Sequence, residues 1–404
     1  MISIFVLYFL SFLVVWQFGG YQLFMLFISI ISRPKRKNYD FQPFVSLIIP
    51  AYNEEKDIEN RINNLLGLDY PNDKYEILVV ESGSTDKTYQ IVDNILKNRD
   101  DYSLPIIKLL QEEKRNGKAS AINFGQKNAN GEIIIGTDAN TVFDKFVIKE
   151  VVPHFYDPIV CAVDGRYIVS NPDNSLTSSE SFYWLLESIM RTGESCLDSV
   201  CSLHGKINAW RKNIVYADPS VLAEDLDMAI QVKRKGYKIV YEPNAIAYEP
   251  AAITYNDQIV QKKRIIIGRI QCFLKHWNYL LLPIDLYRLL IFPSRRTLSI
   301  FSPFVFMLIP ILYLFIGNLQ IVITNIIATL VVFAFVFGSL LILKFKTTNH
   351  ITTQLKCRIS LVSIPKVTYY VLFNEYIILL AWKDFLFGKY SVLWDKANST
   401  RTQE

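Results

Sequence analysis

Charged residues are missing from two long apolar stretches of the chain. Residues 1–32 and 297–343 contain no Asp, Glu, Lys or Arg. A helix of about 20 apolar residues spans a bilayer, so the first stretch predicts one transmembrane helix. The second is long enough for two helices, with a turn at Gly317-Asn318. This pattern predicts a membrane protein with a polar domain between its apolar stretches.

The N-terminal stretch has the features of an anchor rather than of a cleaved signal peptide. A signal peptide has basic residues before a shorter apolar core and small residues after it. Here no Lys or Arg precedes the core, and bulky residues continue to Ile31. We therefore expect this helix to act as a membrane anchor.

Basic clusters next to the apolar stretches predict the orientation. Cytoplasmic loops beside membrane helices are enriched in Lys and Arg. The clusters are RPKRK at 33–37, Arg295-Arg296, and the group Lys344, Lys346, Lys356 and Arg358. They lie on one side of the membrane if 297–343 forms a hairpin. We therefore expect a multi-pass protein of the plasma membrane whose polar domain is cytoplasmic.

Residues 254–292 carry Lys and Arg among Ile, Phe and Trp, and Pro283 interrupts the segment. A transmembrane course would bury Asp285 and Arg288, at about 2.5–3.5 kcal/mol each. Helices in the headgroup plane keep such charges in water and bury the apolar residues. The pattern therefore predicts amphipathic interfacial helices in this segment.

Residues 361–404 combine an apolar stretch, about 367–387, with a basic tail. The stretch includes Asn374 and Glu375, which are costly to place in lipid. It either spans the membrane against other helices or lies at the interface. The basic tail favours the interface.

Strand-like and helix-like segments alternate from residue 44 into the polar domain, which we assign to 44–253. The apolar runs of strand length are VSLIIPAY, YEILVVE, PIIKLLQ, EIIIGTD and IVCAVDG. Segments between them, such as EEKDIENRINNLLGL, repeat apolar residues every three or four positions, as helices do. This order predicts an α/β domain with a Rossmann-like, mostly parallel sheet.

Polar residues follow several of these predicted strands. Asn53, Glu54, Glu81 and Asp138 stand at or just beyond strand ends. Parallel sheets bind ligands beyond the carboxyl ends of their strands. Each residue alone could cap a helix, but four of them at one edge favour a shared site.

If a nucleotide binds at this edge, acidic strand ends without a phosphate loop would hold its phosphates through a divalent cation. The chain has neither GxGxxG after the first strand nor GxxxxGK[ST]. Mg²⁺ and Mn²⁺ accept carboxylate, amide and phosphate oxygens together. We therefore expect Asp138 and Asn140 to be ligands of Mg²⁺ or Mn²⁺. Five cysteines without CxxC and four histidines without HExxH argue against a disulfide framework and a zinc site.

Five segments resemble motifs of the family 2 glycosyltransferases, inverting nucleotide-sugar enzymes of the GT-A fold. In chain order they are VSLIIPAYNEE, VVESGSTDKT, NGKASAINFG, TDAN and AEDLDMAIQVKRKGYKIVYEPNAIAYE. The second has Glu81 where the family commonly has aspartate. The fourth resembles the family's DxD metal motif, with Asn140 at its end. The resemblance covers residues 44–275 and implies the GT-A fold.

The resemblance also implies a nucleotide-sugar site built from the first four motifs. Its members are Tyr52 and Glu54 at the nucleoside, Glu81 at the pyrimidine, Lys118 at the phosphates, and Asp138 with Asn140 at nucleotide and metal.

The fifth motif carries the implied catalytic base. Asp225 would deprotonate the acceptor hydroxyl, with Glu224 beside it. Displacement with inversion needs one carboxylate at the acceptor and charge neutralisation at the leaving diphosphate. Asp225 opens a predicted helix, whose positive N-terminus favours an ionised carboxylate. Complementing that helix dipole is the alternative role of Glu224, Asp225 and Asp227.

The acceptor side resembles the membrane-bound branch of the family, with cellulose, chitin and hyaluronan synthases as distant relatives. Residues 180–195, with Trp184, resemble the helix beside the acceptor. Gln261 and Arg264 match part of the QxxRW motif, which would make Arg264 a clamp on the diphosphate. Ile265 replaces the motif's tryptophan, and this argues against long-chain processivity.

These features together predict an inverting glycosyltransferase. We expect it to move a sugar from a nucleotide diphosphate, UDP by our interpretation, to a membrane-associated glycan or a lipid-linked acceptor. A processive polysaccharide synthase is one alternative, and a non-catalytic membrane scaffold that retains the fold is another. No nucleic-acid partner is expected.

Overall fold

The computed structural model describes most of the chain. The described residues are 2–32, 36–100, 105–171, 175–251, 254–332 and 364–391. Residues 333–343 of the second apolar stretch, the basic group at 344–358 and the tail after 391 lie outside them, as does part of the RPKRK cluster.

The polar domain is built on one eight-stranded sheet. Its strands are β1 (Val45–Ala51), β2 (Tyr75–Glu81), β3 (Ile106–Gln111), β4 (Ile133–Gly136), β5 (Val142–Phe143), β6 (Val160–Val169), β7 (Asn208–Arg211) and β8 (Lys238–Glu249). They lie side by side in the order β3-β2-β1-β4-β7-β6-β8-β5. The five strands predicted from apolar runs are β1, β2, β3, β4 and β6.

The first half of the sheet is parallel and the second half is mixed. Strands β3, β2, β1 and β4 are parallel neighbours. Strand β7 is antiparallel to both β4 and β6, and β5 is antiparallel to β8. Strands β6 and β8 are parallel, so parallel pairings occur in both halves. The predicted α/β fold is confirmed, and the sheet is mixed because β7 and β5 run antiparallel to their neighbours. Strand β7 has the sequence NAWR, so no apolar run marked it.

Helices flank the sheet and extend from it. They are α1 (Ile2–Ile31), α2 (Ile58–Leu66), α3 (Thr88–Lys97), α4 (Lys118–Asn128), α5 (Val147–Val151), α6 (Ser175–Leu197), α7 (Glu224–Arg234), α8 (Tyr255–Leu280), α9 (Tyr287–Ile316), α10 (Leu319–Val332) and α11 (Ile364–Leu386). Leu47 and Ile49 of β1 pack in the core that includes α2 and α5, while Ile48 packs in the core that includes α4 and α7. Both faces of these strands are covered, which is why their sequences are apolar throughout.

Helices α1 and α9 are each 30 residues long and apolar enough to cross a bilayer. Only 28% and 22% of their most apolar 18-residue segments are buried within the protein. Gly317 ends α9 in a left-handed conformation, with φ 62°, and α10 follows at the turn predicted there. Helix α9 begins at Tyr287, inside the segment predicted to be interfacial, and therefore carries Arg295 and Arg296 near its start.

Close helix packing connects the apolar helices to the polar domain. A Cβ on Gly193 of α6 would lie 2.3 Å from the carbonyl oxygen of Met25 in α1. Next to this contact, the Tyr21 hydroxyl donates to Glu194 Oε1 (2.9 Å). Helix α1 is thus packed against the helix that borders the predicted acceptor side.

Helix α8 is connected both to the domain and to α11. A Cβ on Gly268 of α8 would lie 2.6 Å from the backbone N of Ala223, the residue before α7. On α11, Asn374 Oδ1 accepts from Lys262 Nζ (3.1 Å), and Glu375 accepts from the Ser302 hydroxyl (2.7 Å). The polar residues of α11 therefore bond to neighbouring helices.

The α1–α6 contact generates a stability prediction. Replacing Gly193 with Ala should lower the free energy of unfolding by about 1–3 kcal/mol, because the methyl group meets a backbone atom. Helix propensity alone predicts the opposite sign, a gain of about 1 kcal/mol. Thermal unfolding in neutral detergent measures the difference. Gly67→Ala is the control, since its Cβ would have an ordinary 3.6 Å contact, and a Gly193→Ala protein more stable than wild type contradicts the packing.

Candidate active site

The loops after β1 and β2 are tied to each other at the carboxyl edge of the sheet. Asn53 adopts a left-handed backbone conformation (φ 52°), which Asn tolerates. Its N–H donates to Ser84 Oγ (3.0 Å), and its Oδ1 accepts from the Thr85 N–H (2.8 Å). The N–H of Glu54 donates to Thr88 Oγ1 (2.7 Å). The structure thereby brings two of the predicted strand ends together.

Glu81, at the end of β2, is buried within its own turn. It is 1% exposed, and its Oε1 accepts from the Ser84 N–H. A second acid at this edge, Glu112, was missed in the sequence. It follows β3 and accepts from the hydroxyls of Ser82 (2.6 Å) and Ser120 (2.7 Å). An acid directly after an apolar strand was the same signal that identified Glu81.

Tyr52 pairs with a cation at this edge. The Arg115 guanidinium lies 3.9 Å from the centroid of the Tyr52 ring, a cation–π distance. Arg115 belongs to the loop before α4 and was also missed in the sequence. A planar base can stack on either group, so the pair is suited to a nucleoside.

Lys118, the first residue of α4, joins acids from two other elements. Its Nζ lies 2.6 Å from Asp138 Oδ1 and 3.6 Å from Glu224 Oε1. Burial acts to raise the pKa of the Asp138 carboxyl, but the charges of Lys118 and Lys206 outweigh it and the pKa is lowered. Burial acts to lower the pKa of Lys118, but the two acids outweigh it and the pKa is raised. Both members of the Lys118–Asp138 pair are therefore ionised at neutral pH.

A buried arginine supports the loop that carries Asp138. Arg61 of α2 is 1% exposed and donates to Thr137 Oγ1 (2.7 Å). Its guanidinium lies 4.1 Å from the centroid of the Phe143 ring. Burial lowers the pKa of Arg61 to about 9, against the opposing charges of Asp138 and Glu249. Arg61 was missed because its helix reads as an ordinary amphipathic helix.

The oxygen donors at the end of β4 fit a hard divalent cation. Asp138 and Asn140 flank the buried Ala139, and both are partly exposed. Among the described residues, no group of three or more His, Cys, Asp and Glu could hold a metal. A cation here would have two protein oxygens, with phosphate and water completing its shell. Mg²⁺ is commonly bound in this way at nucleotide sites.

Asp225, near the start of α7, lines one cleft with Lys118. Residues of this cleft include Thr137, Gly205, Asn208 and Glu224. Burial and the neighbouring Glu224 raise the pKa of Asp225, and they outweigh the Leu226 N–H and the charge of Lys118. Burial and Glu224 thus oppose the effect that the helix N-terminus was expected to have on this carboxyl group, and they outweigh it in the pKa. A raised pKa suits a group that must accept a proton.

Asp227, two residues further along α7, has a different environment. It is fully buried and pairs with His276 Nε2 (2.7 Å), Lys275 Nζ (2.8 Å) and Gln231 Nε2 (2.7 Å). Two of these partners belong to α8. Asp227 therefore fixes the helix of Asp225 to α8.

The predicted acceptor residues lie on α6 and α8. Trp184 Nε1 donates to Glu180 (2.9 Å), and the Trp184 ring packs edge-on against Tyr167 and His204, with centroids 4.8 and 4.9 Å away. Trp184 is thus part of an aromatic cluster and is partly buried.

Arg264 of α8 is electrostatically connected to the cleft. Its positive charge acts on the pKa of both Lys118 and Asp138. Gln261 lies three residues earlier on the same helix, a spacing that places both side chains on one helix face.

Two family descriptions match the chain. "Glycosyl transferase family 2" covers residues 46–215, and "Glycosyl transferase family group 2" covers residues 133–343. The second match alone includes more than half of the chain, and it extends from β4 through α10.

Two curated relatives match about half of the chain each. A poly-beta-1,6-N-acetyl-D-glucosamine synthase of Staphylococcus aureus (strain COL) is 29% identical over 215 residues, which is 52% of this chain and 50% of the relative. The probable glycosyltransferase YdaM of Bacillus subtilis (strain 168) is 32% identical over 240 residues, 56% of this chain and 55% of the relative. The match thus spans about half the length of these curated relatives.

A solved structure shares the fold over nearly the whole chain. The mannosyltransferase PcManGT from Pyrobaculum calidifontis, in complex with GDP-Man and Mn²⁺, superposes with a TM-score of 0.66 at 21% identity. The superposition covers 95% of this chain and 100% of PcManGT. The sheet, the order of the motifs and both family matches agree: this chain belongs to glycosyltransferase family 2 and is related to polysaccharide synthases.

Proposed function

We propose that this enzyme transfers a sugar with inversion from a nucleotide diphosphate, UDP in our proposal, to a membrane-associated glycan or lipid-linked acceptor. One observation carries the proposal: Asp225, with a raised pKa, lines the same cleft as Lys118, which is paired with Asp138. An acceptor base and a charged site for a diphosphate are the two requirements of a direct displacement.

The donor nucleotide would lie along the edge formed by the loops after β1 and β2. Tyr52 and Glu54 would contact the nucleoside. Glu81 uses Oε1 for the Ser84 N–H, which leaves Oε2 to accept an N–H of a pyrimidine. This arrangement is the basis for proposing UDP.

The diphosphate would lie at the end of β4. Asp138 and Asn140 would hold Mg²⁺ or Mn²⁺, which when bound neutralises the charge that develops on the leaving diphosphate. Lys118 and Arg264 add two fixed positive charges on the same side. Because Lys118 is already ion-paired with Asp138, donor binding would redistribute these contacts rather than create a charged site.

The acceptor hydroxyl would approach Asp225. The carboxylate takes the hydroxyl proton as the oxygen attacks the anomeric carbon, and the bond to the diphosphate breaks on the opposite side. Glu224 would remain a neighbour that raises the pKa of the base and contacts Lys118. An active site of this kind also argues against the scaffold alternative.

A membrane location for the acceptor is supported by α8 and the segment after it. Large apolar side chains on this surface are exposed, notably Trp277 (57%), Leu281 (59%) and Ile284 (75%). Asp285 and Arg288 form an ion pair (2.8 Å), which lowers the penalty of lying near lipid. We propose that 254–286 lies at the cytoplasmic surface of the plasma membrane, with α1 and α9 crossing it.

A processive polysaccharide synthase is the second candidate. The match to the poly-beta-1,6-N-acetyl-D-glucosamine synthase favours it, although that match covers half of either chain. Ile265, where the synthases have tryptophan, favours a short or lipid-linked acceptor instead.

The role of Asp225 can be tested by Asp225→Asn. The change keeps the size and removes the base, so turnover should fall by about 10² or more, while nucleotide-sugar binding stays close to wild type. Sugar transfer and calorimetry measure the two effects. Asp73→Asn, an exposed position, is the control. Wild-type turnover in Asp225→Asn would leave Asp225 with only the helix-dipole role.

The donor site can be tested by Asp138→Ala. We expect calorimetry to show loss of metal-dependent nucleotide-sugar binding, because the only charged oxygen ligand from the TDAN segment is gone. Glu132 is an exposed residue immediately before β4, and the control variant Glu132→Ala should bind the nucleotide sugar like wild type. Equal donor affinity in Asp138→Ala and wild type would remove TDAN from the site.

The membrane placement can be tested by cysteine labelling in a background without the native cysteines. Lys275→Cys and Arg288→Cys should react with an impermeant thiol reagent only from the cytoplasmic side. Asn318→Cys, at the turn between α9 and α10, should react only from the opposite side. Labelling of Arg288→Cys from outside would place the start of α9 on the far side of the membrane and contradict the proposed topology.

A further inference from the structure

The two candidate metal ligands lie in a single tight turn after β4. This DANT turn, residues 138–141, is closed by a long backbone bond from the Thr141 N–H to the carbonyl oxygen of Asp138 (3.4 Å). Between its ends, Ala139 is buried in the core beside the sheet, while Asp138 and Asn140 are partly exposed. The contacts that hold the two ends of the turn therefore determine where the oxygens of Asp138 and Asn140 can meet a cation.

Helix α2 holds the chain before and after this turn. Arg61 donates to Thr137 Oγ1 (2.7 Å), and its Nη1 donates to Asn64 Oδ1 (2.5 Å). Asn64 binds the backbone of Phe143 twice, because its Nδ2 donates to the Phe143 carbonyl oxygen (2.9 Å) and its Oδ1 accepts from the Phe143 N–H (2.8 Å). The residues that flank the turn are thus fixed to one helix.

Glu249, the last residue of β8, holds the turn itself. Its Oε2 accepts from the Thr141 hydroxyl (2.8 Å), and its Oε1 forms an ion pair with Lys206 Nζ. The carbonyl oxygen of Lys206 accepts from the Thr137 hydroxyl (3.1 Å). Together with the turn, these three contacts form a closed ring that includes the residue on each side of the two candidate ligands.

The Lys206–Glu249 pair is itself fixed by the end of the sheet. Glu249 is 7% exposed, and its carbonyl oxygen accepts from the Tyr167 hydroxyl (3.2 Å) and the Ser170 N–H (3.1 Å). Lys206 Nζ lies 4.5 Å from the centroid of the Tyr167 ring, a cation–π distance. Removing one partner of a buried ion pair leaves the other charge uncompensated, so each of the two side chains depends on the other for its position.

We propose that Lys206 and Glu249 are positioning residues for a divalent cation held by the DANT turn, and that Thr141 connects them to it. The inference rests on the proposed function, because it requires a cation at Asp138 and Asn140. Mg²⁺ requires near-octahedral oxygen geometry, and replacing a residue that orients metal ligands typically costs about 10–100-fold in metal affinity. The closed ring keeps the two ligand oxygens at one spacing, and without it the turn is free to widen.

A direct contact between Lys206 and the diphosphate is the competing role. The Lys206 side chain is 23% exposed, and the preceding residue, Gly205, lines the cleft with Lys118 and Asp225. In that role the lysine would attract phosphate by its charge, with or without a metal. The ion pair favours the positioning role, because Lys206 would have to leave the buried carboxylate of Glu249 to reach a phosphate.

The Mn²⁺ dependence of nucleotide binding tests the proposal on the full chain in neutral detergent. Calorimetry measures the affinity for UDP and for GDP over a series of Mn²⁺ concentrations and without metal. Thr141→Val keeps the shape of the side chain and removes the hydroxyl. The Mn²⁺ concentration at half-maximal nucleotide binding should then rise by about 10-fold or more, while metal-free affinity stays like wild type. Thr141→Ser, which keeps the hydroxyl, should bind like wild type.

The ion pair is tested in the same assay. Glu249→Gln and Lys206→Gln should each raise the required Mn²⁺ concentration by about 10-fold. The double variant should show no larger rise than either single variant, because the two residues act through one contact. Lys206 is partly exposed, so Lys206→Gln keeps the test valid where a buried variant does not fold.

Ser46→Ala is the matched control for stability. The Ser46 hydroxyl donates to Glu76 Oε1 (2.7 Å), and both residues are fully buried near the amino ends of β1 and β2, at the opposite edge of the sheet. The change removes the same kind of buried bond as Thr141→Val and should lower the Tm at least as much, with wild-type Mn²⁺ dependence. A purely structural role for Thr141 predicts instead that both variants lower the Tm and that neither changes the Mn²⁺ dependence.

Two results overturn the proposal while the donor site stands. One is wild-type Mn²⁺ dependence in Thr141→Val and Glu249→Gln. The other is weaker nucleotide binding by Lys206→Gln without metal, with no change in Glu249→Gln, which assigns the lysine to the phosphate.

Asp138→Ala in this assay separates the inference from the proposed function. If Asp138→Ala retains Mn²⁺-dependent binding, or if wild type binds neither nucleotide with Mn²⁺, the proposed donor site fails and the inference fails with it. If Asp138→Ala loses this binding while the variants at Thr141, Lys206 and Glu249 bind like wild type, the inference alone fails.

Discussion

The ion pair between Lys118 and Asp138 connects the separate parts of the candidate site. Asp138 follows β4, Lys118 begins α4, and the same lysine reaches Glu224 at the start of α7. All three positions lie at one edge of the sheet, where strands end and helices begin. Partial burial strengthens the attraction, because water screens it less. The pair therefore keeps both charges in the cleft before any ligand arrives, and a diphosphate with its cation can exchange for them.

A second set of contacts, between α7 and α8, determines the position of Asp225 relative to the apolar helices. Asp227 is fully buried and binds His276 and Lys275 of α8, while Gly268 of α8 packs against Ala223. The helix that starts with Glu224 and Asp225 is thus fixed to α8 at both contacts. Since α8 exposes Leu274 and Trp277, any surface that covers these side chains also positions the base. The packing of α7 against α8 therefore couples the position of Asp225 to the way the polar domain is attached to the apolar helices.

The sequence predicted the polar residues at the carboxyl edge of the sheet better than the buried residues that support them. Asn53, Glu54, Glu81 and Asp138 were recognised because a polar residue after an apolar strand is a local pattern, and the structure places them along one edge. Glu112 carries the same pattern and was overlooked. Arg61 carries none, because its role comes from a contact with Thr137 that lies 76 residues away along the chain. The sequence indicated the effect of the helix N-terminus on Asp225 but not the opposing effect of burial and Glu224 on its pKa, since burial cannot be read from the position of a residue in its helix.

The sequence by itself determined the alternation of strands and helices, the apolar helices at either end of the polar domain, and the family motifs in their order. These features depend on periodicity and composition, which neighbouring residues report directly. Only the tertiary structure decided that β7 enters the sheet antiparallel, that Lys118 faces two acids from distant segments, and that Trp184 packs against Tyr167 and His204. Such pairings depend on register and helix packing, which join residues far apart in the chain, so no local pattern specifies them.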